Sequence, residues 1–173
     1  MGRNAVLAAT AIAGLLASGC GAATSPRDQA AEVERVQCGS SSTDADDERV
    51  IEGASVIKSE PLYSHVITNT GFEERVDGAK LVIRPPEGVS AERMTRVIQC
   101  HSARALLGKI DNAKFQDDPF WLPDTWVSVE VHPEEGNYAV TLEANDIPTN
   151  LRLAARAKAY ASTRPLLAAP SLR

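Results

Sequence analysis

Cys100 and His101 are adjacent and carry the side chains best suited to chemistry. A thiolate is a nucleophile and a soft metal ligand, and an imidazole is a base and a metal ligand. On a helix, neighbouring residues diverge by about 100°, so these two cannot act on one another. A nucleophile–base pair would need Cys100 to meet His65 or His132 instead. A soft-metal site would draw on Cys100, His101 and His65, or on Cys38, with His132 the poorer choice. Those ligand types suit copper or zinc. No C-x-x-C or H-x-x-x-H spacing accompanies them, and the two methionines, Met1 and Met94, form no cluster. The bland alternatives are equally concrete. His101 falls in the middle of an apolar stripe, where a histidine is usually a core residue bonded to backbone. His132 alternates with valines and so points to solvent.

The element carrying Cys100 is a helix over about 91–107. Ser90 is its N-cap and Glu92 sits in the first turn, where the helix dipole favours a negative charge. Met94, Val97, Ile98, His101 and Ala105 share one face, and Gly108 provides the exit. Arg93, Arg96 and Arg104 lie near Cys100 and would favour its thiolate. Upstream, residues 54–58 and 61–68 read as strands broken at Pro61, and residues 79–84 as a strand stopped by Pro85 and Pro86. Downstream, Val127, Val129 and Val131 alternate with polar residues, as do Tyr138, Val140 and Leu142. Pro133-Glu134-Glu135-Gly136 turns one strand into the other. A second helix over about 147–161 is capped by Asp146, with Pro148 in its first turn.

Phe120, Trp121 and Trp126 surround Pro119 and Pro123 in a long connection. They read either as a partner-binding lip or, the reading we favour, as a loop folded onto the core. No G-x-S-x-G, H-E-x-x-H, phosphate-binding loop or dinucleotide fingerprint is present. The chain has 173 residues, 18 Lys and Arg against 23 Asp and Glu, and a net charge of −5. An acidic chain without a basic cluster argues against a nucleic-acid partner.

The N-terminus has the three parts of a secretion signal: Arg3, an uncharged apolar run over Ala5–Ala17, and small residues before Cys20. Leu16-Ala17-Ser18-Gly19-Cys20 resembles the lipobox of bacterial lipoprotein precursors, with Ala17 where leucine is usual. The resemblance covers residues 1 to about 21. It implies cleavage before Cys20, acylation of the Cys20 thiol and firm membrane attachment, since two or three acyl chains hold where one does not. Gly21, rather than aspartate, follows the cysteine, which by the same resemblance favours the outer membrane over the inner. With Cys20 acylated, Cys38 and Cys100 are left in an oxidising compartment. They would be either a disulfide closing a loop of roughly 60 residues or two free thiols.

The expected division is a signal peptide over 1–19, a lipid-anchored flexible tether over 20–49, one domain over 50–163 and a frayed tail over 164–173. Small, polar and acidic residues dominate the tether, with a short helix possible at Gln29–Val36. The order of elements predicts an α+β two-layer sandwich, a mostly antiparallel sheet with two helices on one face. It resembles a ferredoxin-like split βαβ or the BON-type domains of envelope lipoproteins, and more broadly other Gram-negative envelope lipoproteins, which implies no activity. The expected function is non-enzymatic binding or assembly at the cell envelope. The membrane is held through the N-terminal lipid, and the further partner is an envelope protein or ligand. A periplasmic metal- or thiol-responsive protein using Cys100 and His101 is the alternative.

Overall fold

A computed structural model describes residues 25–39, 44–69, 71–111 and 117–163. Helices α1 (Pro26–Gln37) and α2 (Asp44–Gly53) precede the hairpin strands β1 (Ser55–Thr68) and β2 (Gly71–Arg84). Then come α3 (Ala91–Leu106), β3 (Ser128–Glu134), β4 (Asn137–Glu143) and α4 (Ile147–Thr163). The four strands form one sheet in the order β1-β2-β4-β3, with every neighbouring pair antiparallel. β2 and β3 therefore run parallel with β4 between them. That is the split β–α–β unit of ferredoxin-like folds, except that the remaining edge strand, β1, precedes the unit instead of following α4. The chain is thus the expected α+β sandwich.

Alternation along the strands builds the core. Ala79, Leu81 and Ile83 on β2, Val129 and Val131 on β3, and Val140 and Leu142 on β4 point to one face and are buried. α3 covers the β3 side of this face and α4 covers β1 and β2, supplying Met94, Val97, Ile98, Leu153, Ala157 and Tyr160. The opposite face is polar and solvated. It carries the pairs Lys58–Glu60, Lys80–Glu134 at 2.6 Å and His132–Glu130 at 3.3 Å, which at such exposure contribute little.

Three expectations need correction. The stretch expected as a spacer is folded wherever it is described. Ser25 caps α1 through a reciprocal capping box with Asp28, and α1 and α2 both pack on α3 as an outer layer. The acidic residues at the start of α2 sit where a helix dipole stabilises negative charge, and its Val50 and Ile51 enter the core. Second, β1 is not broken at Pro61. β1 is an edge strand, and a proline on an edge costs no ladder bond; Pro133 sits in the other edge strand, β3. Third, β2 starts at Gly71 rather than Ala79. β1 and β2 stay paired out to Thr68 and Gly71, but β4 pairs β2 only over Ala79–Ile83. Residues 63–69 and 71–77 consequently stand clear of the four-stranded body as a two-stranded arm, about 20 Å long at the usual rise per residue.

Gly78 marks the point where the arm leaves. A Cβ there would lie 2.1 Å from the Leu142 carbonyl oxygen, so only glycine lets β4 pack this close to β2. Both central residues of the β3–β4 turn, Glu135 and Gly136, have positive φ, as a hairpin turn matching strand twist requires. Asp146 accepts from the Thr149 N–H and hydroxyl at 2.9 and 2.7 Å; these bonds hold its carboxyl below the ordinary range. Gly78→Ala is expected to destabilise the protein by about 1–3 kcal/mol in urea unfolding, the usual range for overpacking; an unchanged midpoint would show that β4 is not seated against β2.

Candidate functional site

The residues singled out for chemistry are built into α3 and its surroundings. α3 is buried nearly all round because the sheet lies on one side and α1 and α2 on the other; Val97, Ile98 and every residue from Cys100 to Ala105 are buried. Cys100 faces α1 and is joined to Cys38 by a disulfide, with Cα atoms 5.6 Å apart. Four residues on, one turn along the same side, Arg104 is also buried. Its guanidinium donates to Asp47 of α2 at 2.7 Å and to the Cys38 carbonyl at 3.4 Å, and lies 3.8 Å from Glu34 of α1. Lys109, just past α3, reaches the same Glu34 at 2.8 Å. A covalent bond and a buried cation thus fasten both outer helices to α3. The close approach is possible because Ala30 of α1, fully buried, is small.

His101 points to the other side. Its Nε2 lies 2.5 Å from Asp118 Oδ2, and both side chains are buried. A histidine in a buried stripe is expected to bond to backbone; His101 bonds instead to a carboxylate. Asp118 Oδ1 accepts the Phe120 N–H at 2.8 Å, so this aspartate folds its own loop inward. Ser102 donates to the Ile98 and Phe120 carbonyls, and Arg156 of α4 donates to the Asp118 and Trp121 carbonyls at 3.2 and 2.6 Å. Phe120 packs edge-on against Tyr160, centroids 5.6 Å apart, and the Arg156 guanidinium stands 5.9 Å from the Trp121 ring centre. The aromatic loop is folded onto the core, and the His101–Asp118 pair pins it to α3.

This arrangement corrects the candidate metal set. Cys100 has its sulfur in a disulfide, His101 turns to Asp118, and His65 stands exposed on the arm opposite Glu74. The three do not meet, and among the described residues no group of three or more His, Cys, Asp and Glu could hold a metal ion. His132 is exposed beside Glu130. The proposed base for Cys100 is likewise missing, since neither His65 nor His132 reaches a sulfur that is bonded to Cys38. Cys20 and the signal-like segment lie outside the described residues.

A groove of about 520 Å³ lies at the base of the arm, lined by Arg75, Asp77, Glu143, Asn145, Asp146 and Ile147 among others. Three of its four charged groups are engaged within the protein: Arg75 holds Asp77 at 2.6 Å and keeps that carboxyl low, while Asp146 caps α4. Sequence reasoning missed Asp118 and Asp47. The signal available was an ionisable group on each buried side of the helix, since a buried histidine or arginine needs an oxygen partner. It also missed Ile67 and Phe72, which pair across the arm near its tip and are each 79% exposed.

The chain matches no protein-family model, no curated protein and no solved structure.

With a sequence separation of 62 residues, the bridge should stabilise by about 4 kcal/mol on the chain-entropy account. Replacing both cysteines, Cys38→Ala with Cys100→Ala, is expected to lower urea-unfolding stability by about that amount and to raise proteolysis within α1. A loss well under 1 kcal/mol would mean that the outer helices are held by packing alone.

Proposed function

We propose that this chain is an exported, lipid-anchored protein of a bacterial envelope that acts in binding or assembly. The observation that carries the reading is the pairing of cysteines. Of three in the chain, Cys38 and Cys100 are bonded to one another, and such bonds persist in oxidising compartments. The third, Cys20, stands behind a signal-like segment in a lipobox-like sequence. Export and acylation account for all three together, and Gly21 after Cys20 favours the outer membrane.

Binding rather than catalysis is supported by how the reactive side chains are used. Cys100, His101, Ser102, Arg104 and Asp118 are spent on internal bonds that hold layers together. The surface instead offers an arm with apolar residues at its end. Among the described residues no helix is long and apolar enough to cross a membrane. On this reading attachment comes through acyl chains on Cys20, and the acidic chain adds no electrostatic grip on anionic lipid.

Cells fed labelled palmitate should yield a labelled protein that partitions with membranes, and Cys20→Ser should abolish the label. A wild-type protein without label would remove the anchor from the account.

A further inference from the structure

We infer that the β1–β2 arm is a second membrane contact, whose Ile67–Phe72 tip enters the headgroup boundary of the bilayer that holds the acylated N-terminus. This rests on the lipid-anchor reading. Ile67 and Phe72 are cross-strand partners on one face of the arm, each 79% exposed, and Tyr63 on the same face is 54% exposed. They are three of the six large apolar side chains that stand exposed among the described residues. Two more, Ile147 and Leu151, lie in the first turns of α4, which begins beside the arm's base. Apolar exposure is thus concentrated at one end of the molecule.

That end is also where the N-terminus leaves. The arm projects past Leu142 and Glu143 of β4, which pair with the start of β3. Asp124, just before β3, lines one hollow with Leu106 at the end of α3 and with Ser25, Pro26 and Arg27 at the start of α1. The described chain therefore begins near the end from which the arm extends. Four residues lie between Cys20 and Ser25, and a chain of five Cα–Cα steps reaches at most about 18 Å when fully extended. The arm extends about 20 Å. A body held on so short a leash cannot stand far from the bilayer, and an arm of matching length on the same side meets it. The charges choose the lipid. Glu73, Glu74 and Asp77 outnumber Arg75 on β2, so an anionic surface would repel the arm, and the contact is with neutral, zwitterionic lipid. Only the apolar side chains at the tip need to enter this boundary; the outward N–H and C=O groups on the arm's two open edges stay at headgroup level, where water and headgroups satisfy them.

The mature acylated protein, reconstituted in phosphatidylcholine vesicles, tests this directly. Phe72→Trp places a reporter on an exposed residue that the core does not use, over the constant background of Trp121 and Trp126. Bromine on the lipid acyl chains should reduce the emission added by the new tryptophan at least twofold, with little change in the wild type. Intact mass and vesicle flotation report the acylation separately. Acylated, floating protein whose added emission is unquenched would overturn the arm contact and leave the anchor standing. Unquenched emission together with cross-linked dimers would assign the arm to a second copy, also overturning it. Protein without acyl mass would overturn both readings.

Discussion

The structure depends on burying α3 from two sides at once. A helix on one face of a sheet normally leaves its outer side to water. Here the outer side carries Cys100, Ala103 and Arg104, and none of them meets solvent. The disulfide to Cys38 and the ion pair from Arg104 to Asp47 bring α1 and α2 over that side. An arginine so deeply placed is costly to bury and tolerable only with its oxygen partners in position. Asp47, the Cys38 carbonyl and Glu34 are those partners. Removing the outer helices would leave a cation and apolar surface uncovered, so they are part of the domain.

The same helix fixes the other end of the core. His101 and Ser102 look away from the outer layer and hold the 117–122 loop through Asp118 and the Phe120 carbonyl. Phe120 then closes the core against Tyr160. One turn of α3, from Cys100 to Arg104, therefore holds three other parts of the chain: α1, α2 and the 117–122 loop. The residue types that suggested nucleophile, base and metal ligand serve as fasteners, and the surface exposes a different feature, the arm.

Much of this was legible in the sequence. The period of α3, the Ser90 cap and the alternation of Val127–Val131 with Tyr138–Leu142 are local signals that packing reinforces, and the bounds of those elements follow. The two-layer α+β architecture followed from their order. Other parts were hidden for physical reasons. Residues 71–78 are polar and alternate weakly because the arm buries neither face, so period-2 patterning has nothing to act on. Pro61 reads as a break only if the strand is assumed to be internal; its edge position is a property of the sheet. The acidic run at 44–48 resembles solvated linker because one inward carboxylate, Asp47, beside the more exposed Asp46 and Glu48 leaves the composition unchanged. His101 lies in the buried stripe that the helical period predicts, but its partner Asp118 is 17 residues away and no spacing rule connects them.

The central claim is that α1 and α2 form a folded layer clamped to α3. Amide hydrogen exchange on the oxidised full-length protein measures it directly. The account predicts that α1 amides beyond the first turn, and those of α2 around Val50, are protected by orders of magnitude over an unstructured peptide, approaching the protection of α3. Exchange of both helices at the unstructured rate, with the Cys38–Cys100 bond intact, would contradict it.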